Sequence, residues 1–148
     1  MIAIGADHGG YQLKEEIKKY FDEKEIAYKD YGTDSEERTD YPIYAKKVAE
    51  LVSKKECEKG ILLCRSGHGM AVVANKFKGV HAANFTNEED ARFATADDDI
   101  NIVTIGGDYV SVKDAICIIR TWLGTEFKGG RYQERIEMID EIEKENMK

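Results

Sequence analysis

Short apolar runs alternate with longer stretches of helical period along this chain, and that alternation restricts its fold more than any other feature. IAIGA (2–6), IAYKDYG (26–32), GILLC (60–64), GVHAANF (79–85) and INIVTIGG (100–107) read as strands. Between the first two, Leu13, Ile17, Tyr20 and Phe21 share a helical face. Tyr44, Val48, Leu51 and Val52 repeat the pattern over 41–55, and a further helix is expected around 70–77. NEED (87–90) supplies a cap and first-turn carboxylates for another. Val112, Ala115, Ile116, Ile119, Trp122 and Leu123 form a wide stripe after the fifth strand. Parallel strands need crossovers, and right-handed helical crossovers cover both sheet faces. The pattern therefore predicts a three-layer α/β domain with a mainly parallel five-stranded sheet. The tail from Arg131 is charged, yet Ile136, Ile139 and Ile142 are spaced for a helix that needs a surface to lie on.

At 148 residues, without repeat, linker or low-complexity segment, residues 1–148 read as a single domain. The net charge of -7 argues against a polyanionic partner, so nucleic acid is not expected. A cleft can still focus the field of a few local cations. Cys57, Cys64 and Cys117 are odd in number, with no CxxC pair or zinc-finger spacing, so neither a disulfide framework nor a metal site is expected. No run is long enough to span a bilayer and no basic leader opens the chain, which fits a reducing cytoplasm.

In parallel α/β sheets ligands bind at the carboxyl ends of the strands. That directs attention to DHGG after the first strand and CRSGHG after the third. The second loop lacks the Walker GxxxxGK[ST] pattern, and Val72 occupies the third glycine position of GxGxxG. A strand running through glycines into a helix nevertheless offers unpaired amides to an oxyanion or phosphate. Cys64 is open to two readings: a small buried hydrophobe, or a thiolate stabilised by the helix start, Arg65 and His68. Asp7 can cap the next helix, serve a site, or do both. His81, in an apolar run, reads as structural. Arg131 and Arg135, four apart, could fork onto a phosphate; two surface arginines paired with Glu134 or Glu137 is the plainer alternative. DDDIN (97–101) reads as a loop or cap.

IAIGADHGGYQLKEEI, DYPIYAKKVAE, GILLCRSGHGM, ANK, TWLGTEF and GGRYQER follow one another in an order that resembles the ribose-5-phosphate isomerase B and galactose-6-phosphate isomerase subunit family almost end to end. The resemblance implies a Rossmann-like α/β/α domain that forms homodimers or tetramers, each active site lying at a subunit interface reached by the C-terminal helix. It implies cofactor-independent aldose–ketose isomerisation of a phosphosugar through an enediolate. By position, Cys64 matches the base and Ser66 a hydroxyl residue that, with the amides of 65–69, holds the oxyanion. Asp7, His8, Arg65, Gly67, Gly69 and Asp98 fall at substrate-binding positions, and Arg131 and Arg135 match phosphate-binding arginines.

Several positions depart from the family pattern. The usual Cys-Gly-Thr-Gly-Ile-Gly is here Cys64-Arg65-Ser66-Gly67-His68-Gly69, and the usual His-Asn-Asp-Ala-Asn begins with Asp97, so the histidine credited with ring opening is missing. Asp108 stands where an arginine is usual, and Tyr132 where a histidine is common. Either His68 and Arg65 take over the lost roles, with His68 joining Cys64 and Ser66 in catalysis, or the substrate is not ribose 5-phosphate. A phosphosugar-binding or regulatory module that has lost turnover is the alternative function.

Overall fold

The computed structural model describes residues 1–147. Five strands, β1 (Ile2–Ala6), β2 (Tyr28–Asp30), β3 (Lys59–Cys64), β4 (Ala82–Asn84) and β5 (Ile102–Gly106), alternate with α1 (Tyr11–Glu23), α2 (Tyr41–Ser53), α3 (His68–Ala74), α4 (Glu88–Asp98) and α5 (Val112–Gly124). A sixth helix, α6 (Arg131–Asn146), closes the chain. All strand pairs are parallel, in the order β2-β1-β3-β5-β4. The expected three-layer architecture is thus present. None of the described helices is long and apolar enough to cross a membrane.

The period of two in β3 builds the layers. Ile61 and Leu63 face one core with Leu13, Ile17, Phe21, Ile118 and Trp122 of α1 and α5. Leu62 and Cys64 face the other, with Val48, Val52, Met70 and Ala74 of α2 and α3. Trp122 is fully buried, and its indole N–H donates to the Ile100 carbonyl at 2.8 Å, so its one polar atom is satisfied.

Several elements differ in extent from the sequence expectation, and for β4 and α3 the reason is local. The edge strand expected over 79–85 narrows to β4 because side-chain amides take over its first bonds. Asn101 Oδ1 accepts from His81 N, and Asn75 Oδ1 from Ala82 N, both at 2.8 Å. Of the strand expected over 26–32 the regular part is β2. Beyond it the chain stays bonded to β1, with Tyr31 N–H donating to the Ile4 carbonyl at 2.9 Å and Ala6 N–H to the Gly32 carbonyl at 2.7 Å, while Asp30 Oδ1 accepts from Gly32 N at 2.8 Å. Helix α3 starts at His68, two residues early, because Gly67 turns the chain at φ 84°, a conformation that suits glycine.

The chain leaves β1 to one side, toward β2, and leaves β3 to the other, which makes the β1/β3 boundary the topological switch point. A charged network tethers the β2 edge there. Lys14 is 1% exposed and lies 2.6 Å from Asp30 Oδ2, with Lys18 at 2.8 Å from the same oxygen. Burial opposes ionisation of Asp30, but the two ammonium groups and the Gly32 amide outweigh it and hold its pKa below the ordinary value. This fixes the start of the 31–40 loop, whose far end carries Thr39 to the site described next.

Candidate active site

Cys64 ends β3 at the switch point, beside β5, where its register partner is Gly106. Its sulfur accepts the Gly67 N–H at 3.0 Å. The chain can close this turn because residue 67 is glycine. At its positive φ a Cβ would collide with Asn84 Oδ1, an atom that accepts from the Thr104 hydroxyl at 2.9 Å. Ser66 follows the sulfur, and its Oγ accepts the His68 N–H at 3.3 Å.

The thiol is 5% exposed, and burial pushes its pKa above the ordinary value. The amides of Gly67, Ser66 and Met70 oppose that shift, while the Asp7 carboxylate adds to it. Of the two sequence readings left open for Cys64, the small buried hydrophobe and the stabilised thiolate, this environment favours the first. Arg65 and His68, which were to stabilise the thiolate, are both exposed, and neither offsets the loss of water around the sulfur.

The β1 loop forms the opposite wall. Asp7, 7% exposed, takes the N–H groups of Gly9 at 2.9 Å and Gly10 at 3.2 Å on Oδ1. It therefore both ties the turn before α1 and faces the cleft. His8 Nδ1 lies 3.1 Å from the Thr39 carbonyl and 3.2 Å from the Thr39 N–H, leaving Nε2 without a protein partner among the described residues. Thr39 is held in turn by the Tyr44 hydroxyl at 3.0 Å. Asp7, His8, Tyr41, Cys64, Arg65, Ser66 and Gly69 enclose an open cleft of about 330 Å³. Tyr41 escaped the sequence reading as a site residue. It is the first residue of α2, and only the fold lays its ring against Gly69.

Arg65 reaches across the β1 loop. A Cβ at Gly9 would sit 2.5 Å from its Cγ, so the glycine leaves room for the arginine stem. His68, exposed in the first turn of α3, adjoins the cleft without lining it. Asp98 is exposed at the last turn of α4 and borders a different groove, against α6. Arg131 and Arg135 begin α6, next to the end of α4 where the Lys128 N–H donates to the Ala96 carbonyl at 2.9 Å. They do not line the Cys64 cleft of their own chain. They are not paired with Glu134 or Glu137 either; among the described residues both arginines are without an ion pair. Instead both guanidinium groups lie over the Tyr132 ring, at 5.2 and 5.3 Å from its centroid.

A buried thiol, a hydroxyl, an imidazole, a carboxylate and the Gly69 N–H, which has no partner among the described residues, surround one cleft and can move a proton and hold an oxyanion. The described protein matches known chains over nearly its full length. The family model described as Ribose/Galactose Isomerase matches residues 2–139. Ribose-5-phosphate isomerase B of Escherichia coli is 41% identical over 96% of this chain and 95% of that one. A Bacillus subtilis protein named as a putative sugar phosphate isomerase is 41% identical over 99% of both chains. Among solved structures, ribose-5-phosphate isomerase B of Clostridium thermocellum superposes with a TM-score of 0.95 at 43% identity, covering 97% of each chain. The Mycoplasma genitalium enzyme with bound ribulose-5-phosphate superposes with a TM-score of 0.93 at 36% identity, covering 98% of this chain and 97% of that one.

Proposed function

This chain belongs to the ribose/galactose isomerase family, and we propose that it interconverts the aldose and ketose forms of a small sugar phosphate. The observation that carries this reading is the placement of the Cys64 sulfur on the floor of the switch-point cleft, among groups that can donate to a sugar oxygen. In the proposed reaction the Cys64 thiolate takes the proton from the carbon next to the carbonyl. The electron pair left behind forms the enediolate double bond, and negative charge gathers on the former carbonyl oxygen. The Ser66 hydroxyl and the Gly69 N–H stabilise that oxygen, each by on the order of 3 kcal/mol. The thiol then returns the proton to the neighbouring carbon. A thiol whose pKa is raised is the stronger base once ionised, so burial gives Cys64 basicity at the expense of thiolate population.

Asp7 and His8 hold sugar hydroxyls in this reading, with Arg65 at the rim, and His68 carries protons between sugar oxygens and solvent. The phosphate is gripped by Arg131 and Arg135 of a second copy. Two observations support such a homodimer: these arginines lie away from the cleft of their own chain, and apolar residues of the two helices that follow β2 and β3 are exposed, Tyr41 at the cleft itself and Ile43 and Val72 elsewhere on α2 and α3. Asp97, standing where the family has a histidine, favours a substrate other than ring-closed ribose 5-phosphate. Incubation with tetrose, pentose and hexose phosphates in deuterium oxide tests the reading by NMR. Deuterium should enter at the carbon next to the carbonyl, and Cys64→Ala should abolish that exchange. Undiminished exchange in the variant, or no exchange with any sugar phosphate, overturns it.

A further inference from the structure

Three cations of the segment 128–135 converge on one aromatic ring, and one of them has no counterpart in the site described above. Lys128 Nζ lies 4.7 Å from the Tyr132 centroid, closer than either Arg131 or Arg135. The Tyr132 hydroxyl receives an N–H from Arg131 at 3.3 Å. The Lys128 ammonium also lies 2.8 Å from Asp97 Oδ1. With the bond from Lys128 N to the Ala96 carbonyl, the lysine is fixed at both its backbone and its tip.

This pair is too exposed to serve stability, with 46% of the lysine side chain and 35% of the aspartate open to solvent. Its effect is geometric. An exposed lysine ordinarily samples many rotamers, and ordering it on demand weakens any ligand it binds. Asp97 and the Tyr132 ring spend that entropy in advance. Counting Asp97 against the three cations leaves a surplus of two positive charges on a protein of net charge -7. Glu134 lies on the same helical turn and pairs with none of the three.

We infer that Lys128 is a third phosphate-binding cation beside Arg131 and Arg135, held in position by Asp97. The ligand class is the phosphate monoester of the substrate. Lys128 donates to an oxygen the two guanidinium groups leave free, and Asp97 is a positioning residue that acts through the lysine. The residue that replaces the family's histidine thereby acquires a role in substrate binding rather than in proton transfer. The inference rests on the reading of Arg131 and Arg135 as phosphate ligands.

Titration of inorganic phosphate into the purified protein, followed by ³¹P NMR at fixed ionic strength, tests it without needing turnover. Lys128→Ala should weaken binding about tenfold, as expected for one lost charge-assisted contact, and Lys128→Arg should recover most of it. Asp97→Asn removes a negative charge, so simple Coulomb attraction predicts tighter binding. A positioning role predicts weaker binding, by about threefold, and no such weakening in the Lys128→Ala background. Unchanged binding in Lys128→Ala overturns the lysine's role, and unchanged or tighter binding in Asp97→Asn overturns the aspartate's. Arg131→Ala separates the premise from the inference. If it binds phosphate like the unaltered protein, the arginine reading fails; if it weakens binding while Lys128→Ala does not, only the inference fails.

Discussion

The Cys64 sulfur accepts the Gly67 N–H at 3.0 Å across a turn that opens with the sulfur itself. One hydrogen bond thus joins the proposed base to the loop proposed to hold the oxyanion, so a shift in either moves the other.

Because burial holds the Cys64 pKa above the ordinary thiol value, the thiolate fraction grows with pH across the whole neutral range. Alkylation of Cys64 by iodoacetamide should be slow at pH 7 and accelerate through alkaline pH, and kcat/KM should rise in parallel. A rate already level at pH 7 would show a depressed pKa and contradict the burial argument.

Gly67→Ala places a side chain at φ 84° and against Asn84 Oδ1. The strain should lower stability by about 1–3 kcal/mol, measured by urea denaturation, and turnover should fall by more than the unfolded fraction explains. Gly129→Ala, also at positive φ but with open space around it, separates backbone strain from collision.

His68→Ala should reduce kcat about 100-fold with little change in KM, the usual contribution of a general acid–base group. His8→Ala should raise KM instead, because His8 lines the cleft with Nε2 unpaired among the described residues. Steady-state kinetics of the two variants side by side would expose an exchange of these roles.

Mixing Cys64→Ala with Arg131→Ala, each inactive alone, should restore activity if a site draws on two chains. A mixed dimer then holds one intact set of residues. Persistent inactivity after mixing, with subunit exchange verified by mass spectrometry, would place both residues in one chain's site.

Asp30→Asn should cost about 2 kcal/mol at pH 7, less than the loss of a fully buried pair because Asp30 keeps 23% of its side chain exposed. Since the folded Asp30 pKa is depressed, its contribution is fully present above the unfolded value. It disappears as pH falls through the folded one. The difference between variant and unaltered protein should therefore shrink below about pH 4, near the unfolded carboxylate pKa. Melting temperatures from pH 2 to 7 provide the check.

The strand and helix pattern was legible because both periodicities follow from backbone geometry, and the apolar residues obey them in β1, β3, β5, α1 and α5. The loops after β1 and β3 could be singled out because ligand sites in parallel sheets gather at strand carboxyl ends. The edge strand β4 was overestimated because the side chains of Asn75 and Asn101 compete for the backbone, which no periodicity records.

What the sequence determined by itself was the layering, the positions of the loops and the identity of the chemical groups, all properties of short stretches of chain. Only the tertiary structure decided the electrostatic state of Cys64, the recruitment of Tyr41 to the cleft and the attachment of Lys128 to Asp97. Desolvation and charge pairing depend on which atoms meet across distances of a few ångströms, and residues 31 positions apart, such as Lys128 and Asp97, meet only when the chain is folded.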